Sequence, residues 1–300
     1  MHILPLFFNI FINVSNVNEE SAFFFSFEIA TLLRLAARNH ILFYHLIGGN
    51  IMTEQIPAPK APGLGTTVMN AFSSPNDAFE GLRESESKPS FWFLPLILLI
   101  ILASVSTVVL FSNDTLKGQI LQSREQAIQK QVDSGKMTQE QADRARSQME
   151  NMGGMFVAIG IVASVIYLSL MFFGAALALW LVSKFALKST AGYGKHLEMY
   201  GISSWIGILG GVVTLLMIVG LNSMYASPSA ALPVYATFDP LNTTDKILAA
   251  IDIFSIWQAI VIGFGISKFT NKPSSTGIGI ALGLWVLWVA VRVLLLGVAG

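Results

Sequence analysis

Long stretches of this chain contain no charged side chain, and this feature constrains the fold more than any other. The charge-free stretches lie between Lys88 and Asp114, Glu150 and Lys184, Glu198 and Asp239, Asp252 and Lys268, and Lys272 and Arg292. A helix of about 20 mostly apolar residues is long enough to cross the hydrocarbon core of a bilayer. The sequence therefore predicts an all-α, polytopic bundle of five transmembrane helices, with the lipid bilayer as its first partner.

The composition excludes several classes of protein. Only 12% of the residues are charged, about half of the share in an ordinary soluble domain. The 18 basic residues balance 18 acidic ones, so the chain has no positive field for nucleic acid. It has no cysteine and only four histidines, which excludes disulfides and cysteine-ligated metals. We therefore expect neither a cofactor nor a nucleic-acid partner.

The apolar stretches place the spans at about 91–111, 155–182, 202–221, 247–266 and 277–299. Within lipid, small residues let two helix backbones approach closely where no hydrophobic force acts between them. Gly279 and Gly283 have the four-residue spacing that is typical of such contacts. Gly210 and Gly211 are adjacent in the third span, where close packing is a commoner role than a break in the helix. We interpret both glycine pairs as packing features.

A polar segment at 112–154 separates the first two spans. Apolar residues recur at helical spacing from Leu116 to Val132, and the pattern stops near Gly135. Thr138 then begins a sequence that fits a capping box at the start of a second helix. The segment therefore predicts a polar helical hairpin whose two arms bury their apolar stripes against each other. Its charges indicate either a solvated face or a surface for partners.

The first 66 residues differ from the rest of the chain. Residues 1–51 lack the basic start of a signal peptide, and we interpret them as translated upstream DNA or a disordered leader, with a sixth span or an interfacial helix as the alternative. Gly48-Gly49 can be encoded by a purine run that would suit bacterial initiation at Met52. Residues 52–66 are typical of a disordered linker. Pro75 then predicts the first turn of a short helix.

Basic residues in the loops predict the orientation, because cytoplasmic loops are enriched in lysine and arginine. With five spans, the loops at 183–201 and 267–276 share a side with the N-terminus. These two loops carry Lys184, Lys188, Lys195, Lys268 and Lys272. The loop at 222–246, on the other side, carries Lys246 against two aspartates. The six basic residues of the polar segment at 112–154, on that same side, argue the other way, although six acidic residues offset them in net charge. We therefore expect a cytoplasmic N-terminus, in a bacterial inner membrane.

Two charged residues intrude on the last two predicted spans. Asp252 and Arg292 lie at similar depths from one membrane face, because the short connecting loop makes the spans antiparallel. A charge in hydrocarbon is costly unless it is paired or reaches water. The sequence therefore predicts a structural, intramembrane ion pair of Asp252 with Arg292. The alternative is that Arg292 extends to the headgroups while the start of a helix stabilises Asp252.

Three segments resemble the Yip family, membrane proteins named for their interaction with Ypt/Rab GTPases, in its bacterial branch. The resemblance rests on Ser74-Pro75-x-x-Ala78-Phe79-x-x-Leu82, on Tyr200-Gly201-Ile202-Ser203-Ser204, and most of all on Ile251-Asp252-Ile253-Phe254-Ser255-Ile256-Trp257. It covers residues 67–300 and implies a five-span fold with a cytoplasmic N-terminus. Eukaryotic members act in vesicle traffic by binding small GTPases and one another. The polar hairpin departs from that pattern.

The sequence has no strong catalytic motif. It lacks a phosphate-binding loop with its lysine, a Gly-x-Ser-x-Gly turn, and a histidine-glutamate pair at metal spacing. We therefore expect a protein that is not an enzyme and that organises the membrane or acts as a scaffold for other membrane proteins or further copies of itself. The alternative is a transporter or channel for a small solute or ion, which would need polar groups along a route through the membrane.

Overall fold

The computed structural model describes residues 63–151 and 155–295 of the chain. The helices are α1 (Leu64–Ser73), α2 (Pro75–Glu84), α3 (Ser90–Ser112), α4 (Asp114–Asp133), α5 (Gln139–Asn151), α6 (Met155–Leu181), α7 (Tyr193–Leu221), α8 (Thr243–Ala250), α9 (Ile253–Thr270) and α10 (Ser274–Ala290). Short π-helical turns at Val182–Ala186 and Val291–Leu295 follow α6 and α10. The predictions for 1–62, 152–154 and 296–300 lie outside the described residues.

Five of these helices, α3, α6, α7, α9 and α10, are long and apolar enough to cross a membrane. The prediction of an all-helical bundle with five spans is thereby confirmed. Its physical basis is that the backbone polar groups of a span must bond within the helix, because lipid offers them no partner. Each charge-free stretch of the sequence therefore becomes most of one spanning helix.

Side-chain contacts assign the connecting segments to two faces of the bundle. On one face, Lys195 at the start of α7 donates to the Leu82 carbonyl of α2, and Lys268 at the end of α9 donates to Glu80. We call this side the platform face. On the other face, Asn113, between α3 and α4, donates to Asn222 at the end of α7. We call that side the hairpin face, and it carries α4, α5 and α8.

The fourth span begins at Ile253 rather than near residue 247. Two capping residues explain the difference. Asn242 accepts a hydrogen bond from the Thr244 amide and begins α8, whereas Asp252 accepts one from the Ser255 amide at 2.8 Å and begins α9. Such caps satisfy amide groups that a helix leaves free at its first turn. The apolar residues just before Asp252 therefore belong to a separate helix on the hairpin face.

Glycine contacts hold α9 against α10, but not at the predicted positions. A side chain at Gly277 would overlap the Gly263 carbonyl oxygen and the Ser267 hydroxyl, so the two backbones meet at Gly263 and Gly277. Gly279 and Gly283 have no described atom of this chain within 4 Å of where a Cβ would lie, so the prediction that this pair makes a close contact is wrong for the described part of the chain. Four-residue spacing alone does not show which face of α10 meets a neighbour.

The second predicted glycine pair does pack closely. A Cβ at Gly210 would lie 2.6 Å from the Phe254 Cβ, and one at Gly211 would lie 2.7 Å from a Leu102 methyl group. Both distances are shorter than van der Waals contact, so α7 approaches α9 and α3 at these positions without a break in its helix.

The polar segment between the first two spans forms α4 and α5, separated by a turn in which Gly135 has a φ of 69°. Arg146 of α5 donates to both carboxylate oxygens of Glu125 in α4, with its closest contact at 2.7 Å. Hydrogen bonding by Arg146 lowers the pKa of Glu125 below its ordinary value. Leu116 and Ala142 are buried, whereas Ala127 of the predicted stripe is exposed. The burial of the two stripes against each other stays a prediction.

Candidate functional site

The helix α2 packs one face onto the spans at the platform face. Pro75 occupies its first turn and Asp77 follows, where the helix dipole favours a negative charge. Ala78, Phe79 and Leu82 recur at helical spacing and are at most 1% exposed. They belong to one apolar cluster with residues of α7 and α9, so this short amphipathic helix forms a cap on the bundle.

The helix α1 completes this cap. It begins at Leu64, so its first three residues fall within the range 52–66 that was predicted as a disordered linker. Its Thr67 and Ala71 are fully buried. Phe72 meets the ring of Trp257 in α9 edge to face, with ring centroids 5.5 Å apart. We call α1 and α2 together the platform.

Charged contacts join the rim of the platform to the end of α9. Lys268 donates to Glu80 at 2.5 Å, and Arg83 donates to the Asn271 side chain at 2.7 Å. The hydrogen bond and the charge of Lys268 lower the pKa of Glu80, against a smaller opposing effect of desolvation. Asn271 has a φ of 52° where α9 ends. The platform therefore fixes the turn between the last two spans.

A deeper ionic contact lies under the platform. Glu198 of α7 is only 1% exposed, and it accepts from Lys195 at 3.0 Å and from the backbone amide of Lys88. Lys195 also donates to the Leu82 carbonyl at 2.9 Å. A buried carboxylate is stable only when charged and polar partners replace the water that it loses. Glu198 and Lys195 therefore tie α2, α7 and the start of α3 together.

His196 lies beside this pair and is fully buried. Its Nδ1 is 3.0 Å from the Gly192 carbonyl oxygen, and its ring meets Phe269 edge to face. Its Nε2 has no hydrogen-bond partner within the described residues. These contacts hold the His196 ring in the packed interior under the platform. No group of metal-ligating side chains occurs in residues 63–151 and 155–295.

A cavity of about 820 Å³ opens among α6, α7, α9 and α10, and residues of α8 and of the segment between α7 and α8 also line it. Apolar and small side chains form most of its wall, including Ala178, Ile262 and Leu284. Asp252 and Arg292 line it as well. Because both stand where a span meets the hairpin face, the cavity has a charged end and an apolar remainder.

The structure brings Asp252 and Arg292 to this one cavity without a direct ion pair. The Asp252 carboxylate caps α9, which agrees with the alternative expectation that the start of a helix stabilises this charge. The buried Nε of Arg292 lacks a hydrogen-bond partner within the described residues, although the two charges are close enough to attract each other. Their stabilising interaction stays a prediction.

Sequence reasoning missed the roles of Glu80, Lys195 and Glu198. It treated Lys195 as a loop charge and Glu198 as the end of a charge-free stretch. The three-residue spacing from Lys195 to Glu198 at the start of a span was the available signal, because such residues share one face of a helix.

Five apolar spans and the platform that covers one end of them define an integral membrane protein of the helical-bundle class. The Yip1 domain family matches residues 69–296 of the chain, which is most of its length. The protein therefore belongs to the Yip1 domain family. Comparison with curated proteins and with solved structures gives no match.

Proposed function

We propose that this protein is a non-enzymatic membrane scaffold that holds partner proteins, or further copies of itself, at the cytoplasmic surface of a bacterial inner membrane. The observation that carries the proposal is the platform. Its inward side is fixed to three spans by buried apolar and ionic contacts, so its outward side is held in a defined position at the membrane surface.

The outward side of the platform suits protein contacts. Met69 is 68% exposed, and Asn76, Asp77 and Glu84 point away from the buried side of α2. Methionine is enriched in protein interfaces relative to the rest of the protein surface. A surface that is already ordered loses less conformational entropy on binding than a flexible segment would.

The cytoplasmic position of the platform is supported by the lysines of the same face. Lys184, Lys188 and Lys272 lie there along with the two lysines that contact the platform. The bacterial setting rests on the initiation signal proposed before Met52. Family membership and the structural roles of Glu198 and His196 favour a role without catalysis.

Site-specific photo-crosslinking in native membranes tests the scaffold directly. A photoreactive residue at Asn76 should give discrete protein adducts or a crosslinked dimer, whereas one at Leu216, which is 68% exposed on the third span, should give mainly lipid adducts. Equal adducts at both positions would contradict the proposal. Solute-specific flux into liposomes that contain the purified protein, absent from empty liposomes, would favour the transporter instead.

A further inference from the structure

The cavity among α6, α7, α9 and α10 has an open side toward lipid. Gly174, Ala175 and Ala178 belong to the face of α6 that borders it, and a Cβ at Gly174 would meet no described atom within 4 Å. Leu287 of α10 lines the cavity and is 60% exposed. The small residues of α6 therefore leave a space beside α10 that reaches the lipid-facing surface, and its size of about 820 Å³ falls within the roughly 300–1,000 Å³ of ligand pockets.

The polar end of the cavity lies at the headgroup level. Asp252 immediately precedes the fourth span, and Arg292 is the next-to-last residue of the fifth. Trp285 donates to the Ser255 hydroxyl at 3.3 Å on the same side of the cavity. Tryptophan is enriched where membrane meets water. An amphiphile in this cavity would therefore have its headgroup beside Asp252 and Arg292.

Asp252 and Arg292 do not satisfy each other's hydrogen-bonding capacity. The Nε of Arg292 is buried without a hydrogen-bond partner in the described residues, a costly arrangement for a charged donor. The Asp252 carboxylate accepts from backbone amides in the first turn of α9, including the Ser255 amide at 2.8 Å. An ionised carboxylate can accept several hydrogen bonds. The Arg292 Nε therefore lacks an acceptor among the described residues, and the Asp252 carboxylate can accept from a further donor at the cavity mouth.

We propose that the cavity binds one molecule of a zwitterionic phospholipid whose headgroup carries a primary amine. The phosphate accepts from Arg292, the ammonium donates to Asp252, and one acyl chain fills the apolar part of the cavity. A guanidinium matches the geometry of a phosphate. A primary ammonium has three donors, whereas a quaternary ammonium has none, so the site prefers an amine headgroup to a choline headgroup.

Native mass spectrometry of the purified full chain tests the site. Phosphatidylethanolamine, phosphatidylcholine and phosphatidylglycerol with identical acyl chains are added separately, and the fraction of protein that keeps one lipid is measured. We expect phosphatidylethanolamine to be retained roughly tenfold better than phosphatidylcholine, since each lost charge-assisted hydrogen bond weakens binding by about that factor. Equal retention of the three lipids would overturn the proposal.

Two substitutions separate the two charges. Arg292→Gln should lower the retention of every phospholipid, because the phosphate loses its partner. Asp252→Asn keeps a good helix cap and removes only the negative charge. It should abolish the preference for phosphatidylethanolamine and raise the retention of phosphatidylglycerol, which the carboxylate repels in the native protein. An unchanged order of lipids in Asp252→Asn would contradict the proposed headgroup contact.

A substitution that fills the cavity tests the acyl-chain contact even if Arg292→Gln does not fold. Gly174→Leu places a side chain in the open space and should block retention. Gly283→Leu is the matched control, because its Cβ also meets nothing within 4 Å but Gly283 does not line the cavity. Equal effects of the two changes would contradict the site.

Soluble phosphoethanolamine separates a lipid site from a headgroup site. It should leave the melting temperature unchanged at concentrations where the lipid raises it. Stabilisation by the free headgroup to the same extent would show that the acyl chain is not bound and would overturn the proposal.

Discussion

The two ends of the bundle differ in how closely the spans pack against one another. At the platform face, Gly277 brings α9 and α10 into backbone contact, and Glu198 is buried with its partners. At the hairpin face, a cavity remains among four spans, and Arg292 keeps a buried nitrogen without a partner in the described residues. The same spans can therefore be closely packed at one end and leave a cavity at the other. A few small or charged residues determine which end is closely packed.

The largest effect should come from the buried charge of the platform end. Glu198→Ala removes the anionic partner of Lys195 and the acceptor of the Lys88 amide, so we expect a loss of about 3 kcal/mol in unfolding free energy. The control is Glu140→Ala, which breaks a contact with Arg144 whose side chains are 74% and 76% exposed, and which should cost less than ~0.5 kcal/mol. Thermal melts in detergent measure both, and equal losses would remove the contrast between a structural and a solvated pair.

The next largest effect should come from the glycine contact. Gly277→Ala forces a methyl group into the Gly263 carbonyl and should destabilise the protein by about 2 kcal/mol. Gly283→Ala adds the same methyl group in open space of the same helix, and it should stabilise by up to about 0.5 kcal/mol because alanine is the better helix former. Melting temperatures that shift in the same direction would show that α9 and α10 do not meet at Gly277.

A smaller effect is expected at the open end. Asp252→Ala and Arg292→Ala should destabilise the protein to a similar extent, and the double variant should recover part of the loss, with a coupling of about 1 kcal/mol. The measurement is a double-mutant cycle by detergent melts of delipidated protein. Strictly additive losses would mean that the two charges do not interact.

The smallest effect should be a pH dependence at the rim of the platform. The pKa of Glu80 is lowered in the folded state, chiefly by its hydrogen bond from Lys268, so its stabilisation is present above the unfolded pKa and disappears as pH falls through the folded one. The melting temperature should therefore fall on acidification below about pH 4.5, near the ordinary glutamate pKa. Lys268→Met should weaken this dependence, and an identical pH profile in that variant would contradict the assignment.

The sequence allowed the five spans to be predicted because long apolar stretches with few or no charges reflect the lipid that surrounds them. It did not place the start of the fourth span. The apolar residues 247–251 continue the hydrophobic stretch, and only the capping role of Asp252 separates them from α9. When a span is predicted from the hydrophobicity of many residues, the signal of a single capping residue is outweighed.

The sites were harder to predict than the spans. The burial of Glu198 depends on how α2 folds back over α7, and that arrangement follows from tertiary contacts over more than a hundred residues. The cavity depends on which faces of four helices turn inward. Asp252 and Arg292 were identified from their charge and their similar predicted depth in the last two spans, and the structure adds that both border the cavity.

Topology is the most direct test of the account, because the scaffold requires the platform to face the cytoplasm and the chain to cross the membrane five times. Reporter fusions at Gly192 and Pro273, on the platform face, should give cytoplasmic signals. Fusions at Ser134 and Pro233, on the hairpin face, should give exterior signals. An exterior signal at Gly192 would contradict the orientation, and unlike signals at Gly192 and Pro273 would contradict the five-span fold.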